Sequence, residues 1–247
     1  MNDVIRQLYE RKSTRVFEER EIPEDVTQQI LTAACMAPTA GNQQLYTVLR
    51  ITDEALKNQL SESCDHQPFI AQGKLVLIFC ADCRKWYRAF KENGCDPRLP
   101  GEGDLLLAVS DANIAAQNAV VAAHALGVGS CYIGDIMENI EIHRDMLHLP
   151  QYVFPCAMLV MGYPTPQQLE RTKPRRAPLE CIVLENVYRD LEGDALRDAL
   201  YKGDVPADYK RWLHAFCERK YNSSFAREMT RSVRQYLLDF AKTTEES

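Results

Sequence analysis

The sequence predicts an α/β or α+β sandwich in which helices cover one central sheet. Short apolar or β-branched runs typical of strands are interleaved with longer segments of helical periodicity. At 247 residues, the chain is long enough for one large domain with a buried core. Its hydrophobic fraction of 46% and charged fraction of 26% are ordinary for a globular enzyme.

The N-terminal half is predicted to begin with a short amphipathic segment at Val4–Leu8. Pro23 and the acids after it favour a helix start, and that helix must end before Pro38. The small and polar residues 39–44 are expected to form a loop. The next predicted elements are a strand at 46–51, a short helix at 54–63 and a central strand, apolar on both faces, at 75–80.

The second half is dominated by an alanine-rich segment at 105–126, which predicts a long central helix. Because this segment is apolar nearly all round, it must be buried, either in the core or against another subunit. The other predicted elements are a mobile lid at 91–103, a turn at 130–134, a helix at 140–147, a strand at 155–161, a strand-like run at 181–184 and a helical tail from 190 with an apolar stripe at 233, 236, 237 and 240.

Composition excludes several classes of function. No apolar run approaches the about 20 residues of a membrane helix and no secretory signal begins the chain, so we expect a cytoplasmic protein without a membrane partner. A formal net charge of -6 argues against nucleic-acid binding. The nine cysteines are best explained as buried thiols, and the lone Cys80-x-x-Cys83 pair has no histidine at ligand spacing, so no metal site is expected.

One cluster of charge contrasts with this acidic background. Arg11, Lys12 and Arg15 lie around the hydroxyl of Ser13, a combination that suits a phosphate, although short basic runs are usually solvated surface. Lys173-Pro174-Arg175 is a second cluster that could converge on the same phosphate. The chain has neither G-x-x-x-x-G-K-[ST] nor G-x-G-x-x-G, so a nucleotide loop of those classes is not expected.

These motifs occur in the order found in a known family. The sequence resembles the nitroreductase family of FMN-dependent oxidoreductases over residues 5–187, and within it the larger, flavin-reductase-like branch. The segments that carry the resemblance are R-K-S-T-R-V-F at 11–17, A-P-T-A-G-N-Q-Q at 37–44, Gln67, D-A-N-I-A-A-Q-N at 111–118, L-G-V-G-S-C-Y-I-G at 126–134, G-Y-P at 162–164 and K-P-R at 173–175.

The resemblance implies an α+β fold, with a mainly antiparallel central sheet wrapped by helices in an α/β/α sandwich. It also implies an intertwined homodimer with FMN in the subunit interface. Residues 1–187 would form the FMN-binding domain, and residues 188–247 a C-terminal helical arm of the same domain.

The resemblance also implies cofactor-binding roles. One set of residues would hold the FMN phosphate and ribityl chain, a second would come from the other subunit, Gln67 would bond the pyrimidine end, and a backbone segment would pass near N5. The residues that would hold the phosphate and ribityl chain are Arg11, Lys12, Ser13, Arg15, Lys173 and Arg175. Those that would come from the other subunit are Pro38, Thr39, Ala40 and Asn42. The backbone segment near N5 would be Tyr132, Ile133 and Gly134.

The implied reaction is a ping-pong cycle in which NAD(P)H reduces the flavin at N5 and a nitroaromatic or quinone acceptor then takes the electrons. No catalytic side chain is expected, because the hydride chemistry belongs to the cofactor. The alternatives are a specialised flavin reductase, a reductive dehalogenase of aromatic substrates, or an FMN-binding store or sensor without turnover.

The chain departs from this branch at Asp135 and Met137, where members often carry glycine and arginine. Asp135 could change the pocket's charge and its preference between NADPH and NADH, block the reductant, or cap a helix starting near Ile136. We expect Gln117 and Asn118 to make hydrogen bonds in helix packing, and Cys131 to be a small core residue.

Overall fold

A four-stranded antiparallel sheet is found among the residues that the computed structural model describes, which are 1–200, 206 and 208–241. The predicted class, α+β with an antiparallel sheet, is confirmed. The spatial order is β1-β2-β4-β3. The strands are β1 (Tyr46–Ile51), β2 (Leu75–Asp82), β3 (Gly129–Ile133) and β4 (Val153–Gly162).

The two central strands, β2 and β4, are buried along their whole length. Successive side chains of a strand point to opposite faces, so β2 supplies two cores. Leu77 and Phe79 pack on the face that α2 (Glu24–Cys35) and α5 (Glu102–Ala125) cover. Ile78 and Cys80 pack on the other face with residues of α3 (Glu54–Ser63). The sheet is therefore the middle layer, as predicted.

Seven further helices are assigned among the described residues. They are α1 (Asp3–Glu10), α4 (Arg84–Glu92), α6 (Ile140–Met146), α7 (Pro166–Glu170), α8 (Gly193–Leu200), α9 (Tyr209–Lys220) and α10 (Ser224–Leu237). Short 3-10 turns occur at Ala40–Asn42, Asp135–Met137 and Leu179–Cys181.

Helix α5 confirms the predicted long central helix, but its surface is divided into two faces. Residues such as Ala112, Ala116 and Val120 are fully buried against α2 and the sheet. Leu106 and Leu107 on the other face are 67% and 51% exposed. By length and hydropathy α5 would also suffice to cross a membrane, contrary to the expectation that no segment would. Its buried face is typical of a core helix.

Three predicted elements differ in the structure. Residues 129–133 form the edge strand β3 rather than a turn, because pairing with β4 supplies the hydrogen bonds that a pentapeptide cannot supply itself. Residues 181–184 begin at the last residue of the 3-10 turn Leu179–Cys181 and are not assigned to a strand. The expected lid is partly α4, which extends to Glu92, and α5 already begins at Glu102.

The chain divides into two compact units. One contains residues 1–170 together with the chain from Arg227, and the other contains residues 171–226. Within the first unit, Tyr236 and Phe240 are buried, and their rings contact those of Phe154 and Tyr152 at centroid distances of 5.0 and 5.5 Å. The predicted apolar stripe of the tail thus contributes to the core, and the division at residue 187 stays a prediction.

Candidate functional site

The basic segment lies alongside the edge strand β3. Ser13 and Ser130 form a parallel bridge, and the Thr14 amide donates to the Ser130 carbonyl at 2.9 Å. The buried Thr14 side chain fills the space beside Gly129, where an added Cβ would lie 2.5 Å from the Thr14 hydroxyl oxygen. The absence of a side chain at Gly129 therefore allows the segment to approach the sheet.

Extended backbone places alternate side chains on the same side, so Arg11, Ser13 and Arg15 share one side of this segment. They lie close to Cys131 of β3. Burial raises the pKa of the Cys131 thiol, and Arg15, Ser13 and Arg11 oppose that rise. Burial likewise raises the pKa of Tyr132 to about 12, although the positive charge of Arg11 acts to lower it. The structure therefore brings these predicted phosphate ligands together over residues 131–132.

The other side of the segment faces α7. The Lys12 ammonium group donates to the Leu169 carbonyl, and the Arg15 amide donates to Gln168 Oε1 at 3.1 Å. Lys12 therefore lies beside a helix rather than in the row of alternate residues. Its role in holding a phosphate stays a prediction.

Gln67 lies at the end of β3, next to the segment predicted to pass near N5. Its Nε2 atom donates to the Cys64 carbonyl at 2.8 Å and to Asp135 Oδ1 at 3.1 Å. Two residues further on, the Phe69 ring lies 5.9 Å below the Arg15 guanidinium. The segment that contains Gln67 therefore contacts the basic segment through Phe69 and Arg15.

Asp135 begins the 3-10 turn after β3, and its carboxylate accepts from Gln67. The neighbouring Gly134 is half-buried, and a Cβ added there would meet only the Met137 methyl group, at 3.8 Å. The backbone beside Gly134 thus has open space on one side.

Glu138 is a buried acid that the sequence analysis did not single out. It is 5% exposed, and its Oε1 has no hydrogen-bond partner among the described residues. Burial raises the pKa of Glu138 to about 7, with further contributions from Asp135, Glu228 and Asp65. The only sequence signal was its spacing of three from Asp135, which places both acids near one turn.

The loop that contains Pro38, Thr39, Ala40 and Asn42 is fixed to α5. The amides of Ala40 and Leu45 donate to the buried Asp111 carboxylate at 3.0 and 3.2 Å. Asn42 has a φ of 55° in the left-handed region. The loop is thus anchored at a different place from the basic segment, and its expected contact with FMN of another subunit stays a prediction.

The remaining predicted residues divide between the two units. Lys173 and Arg175 belong to the unit of residues 171–226, so their part in a phosphate clamp stays a prediction. Asn118 donates to the Ala33 carbonyl at 3.2 Å and the Tyr132 hydroxyl donates to Gln117 Oε1 at 3.4 Å. The Asn118 bond joins α5 to α2 and agrees with its expected packing role, whereas Gln117 is exposed and bonds the edge strand β3.

Comparison with known proteins shows the family to which the chain belongs. The model of the nitroreductase family matches residues 8–163. The chain is 30% identical to an FMN reductase [NAD(P)H] of Bacillus subtilis over 96% of this chain and 91% of the relative. It is 33% identical to an oxygen-insensitive NADPH nitroreductase of Salmonella typhimurium over 78% and 77%. The solved structure of B. megaterium NfrA2 superposes with a TM-score of 0.84 at 26% identity, covering 98% of this chain and 100% of that one. The chain therefore belongs to the nitroreductase family.

Proposed function

We propose that the protein is a cytoplasmic FMN-dependent oxidoreductase that passes electrons from NAD(P)H to nitroaromatic or quinone acceptors in a ping-pong cycle. The broader activity, that of an NAD(P)H-dependent flavin oxidoreductase, follows from the family and from relatives named as FMN reductase and NADPH nitroreductase. The observation that carries the proposal is the row of Arg11, Ser13 and Arg15 over β3, with the Gln67 carboxamide bonded to Asp135 just beyond the end of that strand.

The donor set of this region fits FMN. Guanidinium groups and a hydroxyl suit a phosphate, because they offer charge-assisted donors to its oxygens. The Gln67 carboxamide suits the polar imide edge of a flavin. The open side of Gly134 leaves room for a ring to approach the backbone. When bound, FMN would supply the hydride chemistry, while the chain supplies binding, orientation and electrostatics.

Positive charge is the main electrostatic contribution of the chain at this site. Arg11 and Arg15 stabilise negative charge on a bound ligand, and their effect is strongest where water is excluded. No side chain need act as a covalent nucleophile, because the hydride chemistry would belong to FMN. The chain would thus bind and orient the cofactor.

The proposed assembly is a homodimer with FMN in the interface. The outer face of α5 supports this, since Leu106, Leu107 and Ile114 are 67%, 51% and 40% exposed. Helix α1 has no buried residue and adds exposed Val4 and Leu8. Apolar surface of this kind favours burial against another chain. The molar mass in solution, measured by light scattering, should be twice that of the chain.

The proposed activity is tested with purified protein. We expect a yellow protein with flavin absorbance that oxidises NAD(P)H when a nitroaromatic or quinone is added. A colourless protein that cannot take up FMN would contradict the proposal. Rates with free flavin and halophenols distinguish a flavin reductase or a reductive dehalogenase, and a store or sensor would stay yellow under anaerobic NADPH.

A further inference from the structure

We propose that Asp135 is a positioning residue for Gln67. It holds the carboxamide so that the site offers a hydrogen-bond acceptor, and the site thereby selects ligands that present an N–H group, as the imide edge of a flavin does. The inference rests on the proposed function, because it takes FMN as the ligand.

The orientation of the Gln67 side chain follows from its two partners. A carboxamide has two N–H donors on nitrogen and one acceptor oxygen. Nε2 donates to the Cys64 carbonyl at 2.8 Å and to Asp135 Oδ1 at 3.1 Å, which uses both donors. Oε1 is then the polar atom of this carboxamide left to meet a ligand.

The reversed orientation is unfavourable. Turning the carboxamide over would place Oε1 against the Cys64 carbonyl and the Asp135 carboxylate, which are both oxygen acceptors. Two acceptors facing each other lose both hydrogen bonds, and the half-buried setting of Gln67 limits their replacement by water. The acceptor is therefore the group that this chain presents.

The contribution of Asp135 can be separated from that of the backbone. The Cys64 carbonyl would be present with any side chain at position 64, whereas the second acceptor is specific to Asp135. An ionised carboxylate only accepts, and it accepts more strongly than a neutral group. Glycine, which this branch often carries after the Y-I-G segment, would leave one Gln67 donor without this partner.

The test measures the affinity of FMN-depleted protein for FMN and for N3-methyl-FMN by flavin fluorescence. The methylated probe lacks the imide N–H. We expect the unaltered protein to bind FMN about 10- to 100-fold more tightly than the probe, since a buried acceptor left unmatched is costly. In Asp135→Ala the ratio should fall by at least about threefold, because only the Cys64 carbonyl then opposes the reversed orientation of the carboxamide.

Two variants control the test. Asp135→Asn keeps an acceptor oxygen and should retain most of the discrimination. Asp145→Ala removes the same charge from an exposed position on α6 and should bind both flavins as the unaltered protein does. A ratio that stays unchanged in Asp135→Ala would overturn the inference, because discrimination would then arise from the bulk of the methyl group.

Replacing Gln67 tests the inference without altering Asp135. Gln67→Glu puts an acceptor-only group against the Cys64 carbonyl and Asp135, so FMN affinity should fall further than in Gln67→Ala. Equal losses in the two variants would contradict the proposed role of Asp135. Failure of the unaltered protein to bind FMN would instead contradict the proposed function, so the two failures are distinguishable.

Discussion

Glu138→Gln removes the ionisation of a buried acid while keeping its shape. The Glu138 side chain is 5% exposed, and its Oε1 has no hydrogen-bond partner in the described part of the chain. Burial raises the pKa of Glu138 from 4.5 to about 7, with Asp135, Glu228 and Asp65 adding to the rise. Charging this group therefore costs free energy in the folded protein.

The sign of the effect follows from proton binding. Between pH 4.5 and about 7 the folded protein binds the Glu138 proton more tightly than the unfolded chain does. Its contribution to stability is therefore fully present below pH 4.5 and is lost as the pH rises towards 7. A shift of this size corresponds to at most about 3 kcal/mol, and water penetration reduces it, so we expect about 1–2 kcal/mol.

Urea unfolding of FMN-depleted protein at pH 5 and pH 8 measures this difference. Relative to the unaltered protein, Glu138→Gln should gain about 1–2 kcal/mol more at pH 8 than at pH 5. Glu170→Gln, at an exposed position of α7, provides a matched control with no such gain. An equal effect of Glu138→Gln at both pH values would refute the assigned titration.

Three further variants test the basic segment, its packing on β3 and the loop that is anchored on α5. Arg15→Ala should weaken FMN binding by about 10- to 100-fold in a fluorescence titration, through loss of a charge-assisted contact of about 1.5–3 kcal/mol, and unchanged affinity would contradict its role. Gly129→Ala places a Cβ 2.5 Å from the Thr14 hydroxyl oxygen, so it should lower both the free energy of unfolding and the affinity for FMN. The control variant Gly103→Ala places its Cβ in open space and should lower neither quantity. Asp111→Ala leaves two amides without their acceptor and should lower the free energy of unfolding by about 2–4 kcal/mol in urea, and a loss below about 0.5 kcal/mol would contradict that anchor.

Elements with a local signal could be predicted from the sequence. Strand β2 was identified by its apolar faces, and α3 occupies the predicted residues 54–63 because its start and periodicity are both local. Strand β3 was missed because its hydrogen bonds come from β4, about 30 residues later. The run at 181–184 contains β-branched residues, but it does not pair with any of the four strands of the described sheet.

The site shows the same limit. The basic cluster was evident in the sequence, but the division of its side chains between β3 and α7 depends on the bridge from Ser13 to Ser130. The bond from Gln67 to Asp135 joins residues 68 positions apart. The negative charge of Glu228 on α10 helps to raise the pKa of Glu138, 90 positions earlier in the chain. Such contacts arise from tertiary packing, which local patterns do not encode.

Anaerobic mixing of the FMN-loaded protein with NAD(P)H, followed by flavin absorbance, tests the central claim most directly. The account predicts that the flavin colour is lost on mixing with NADPH or NADH and returns when a nitroaromatic or quinone is added. A protein that takes up no FMN, or one whose flavin stays yellow with both reductants, would contradict it.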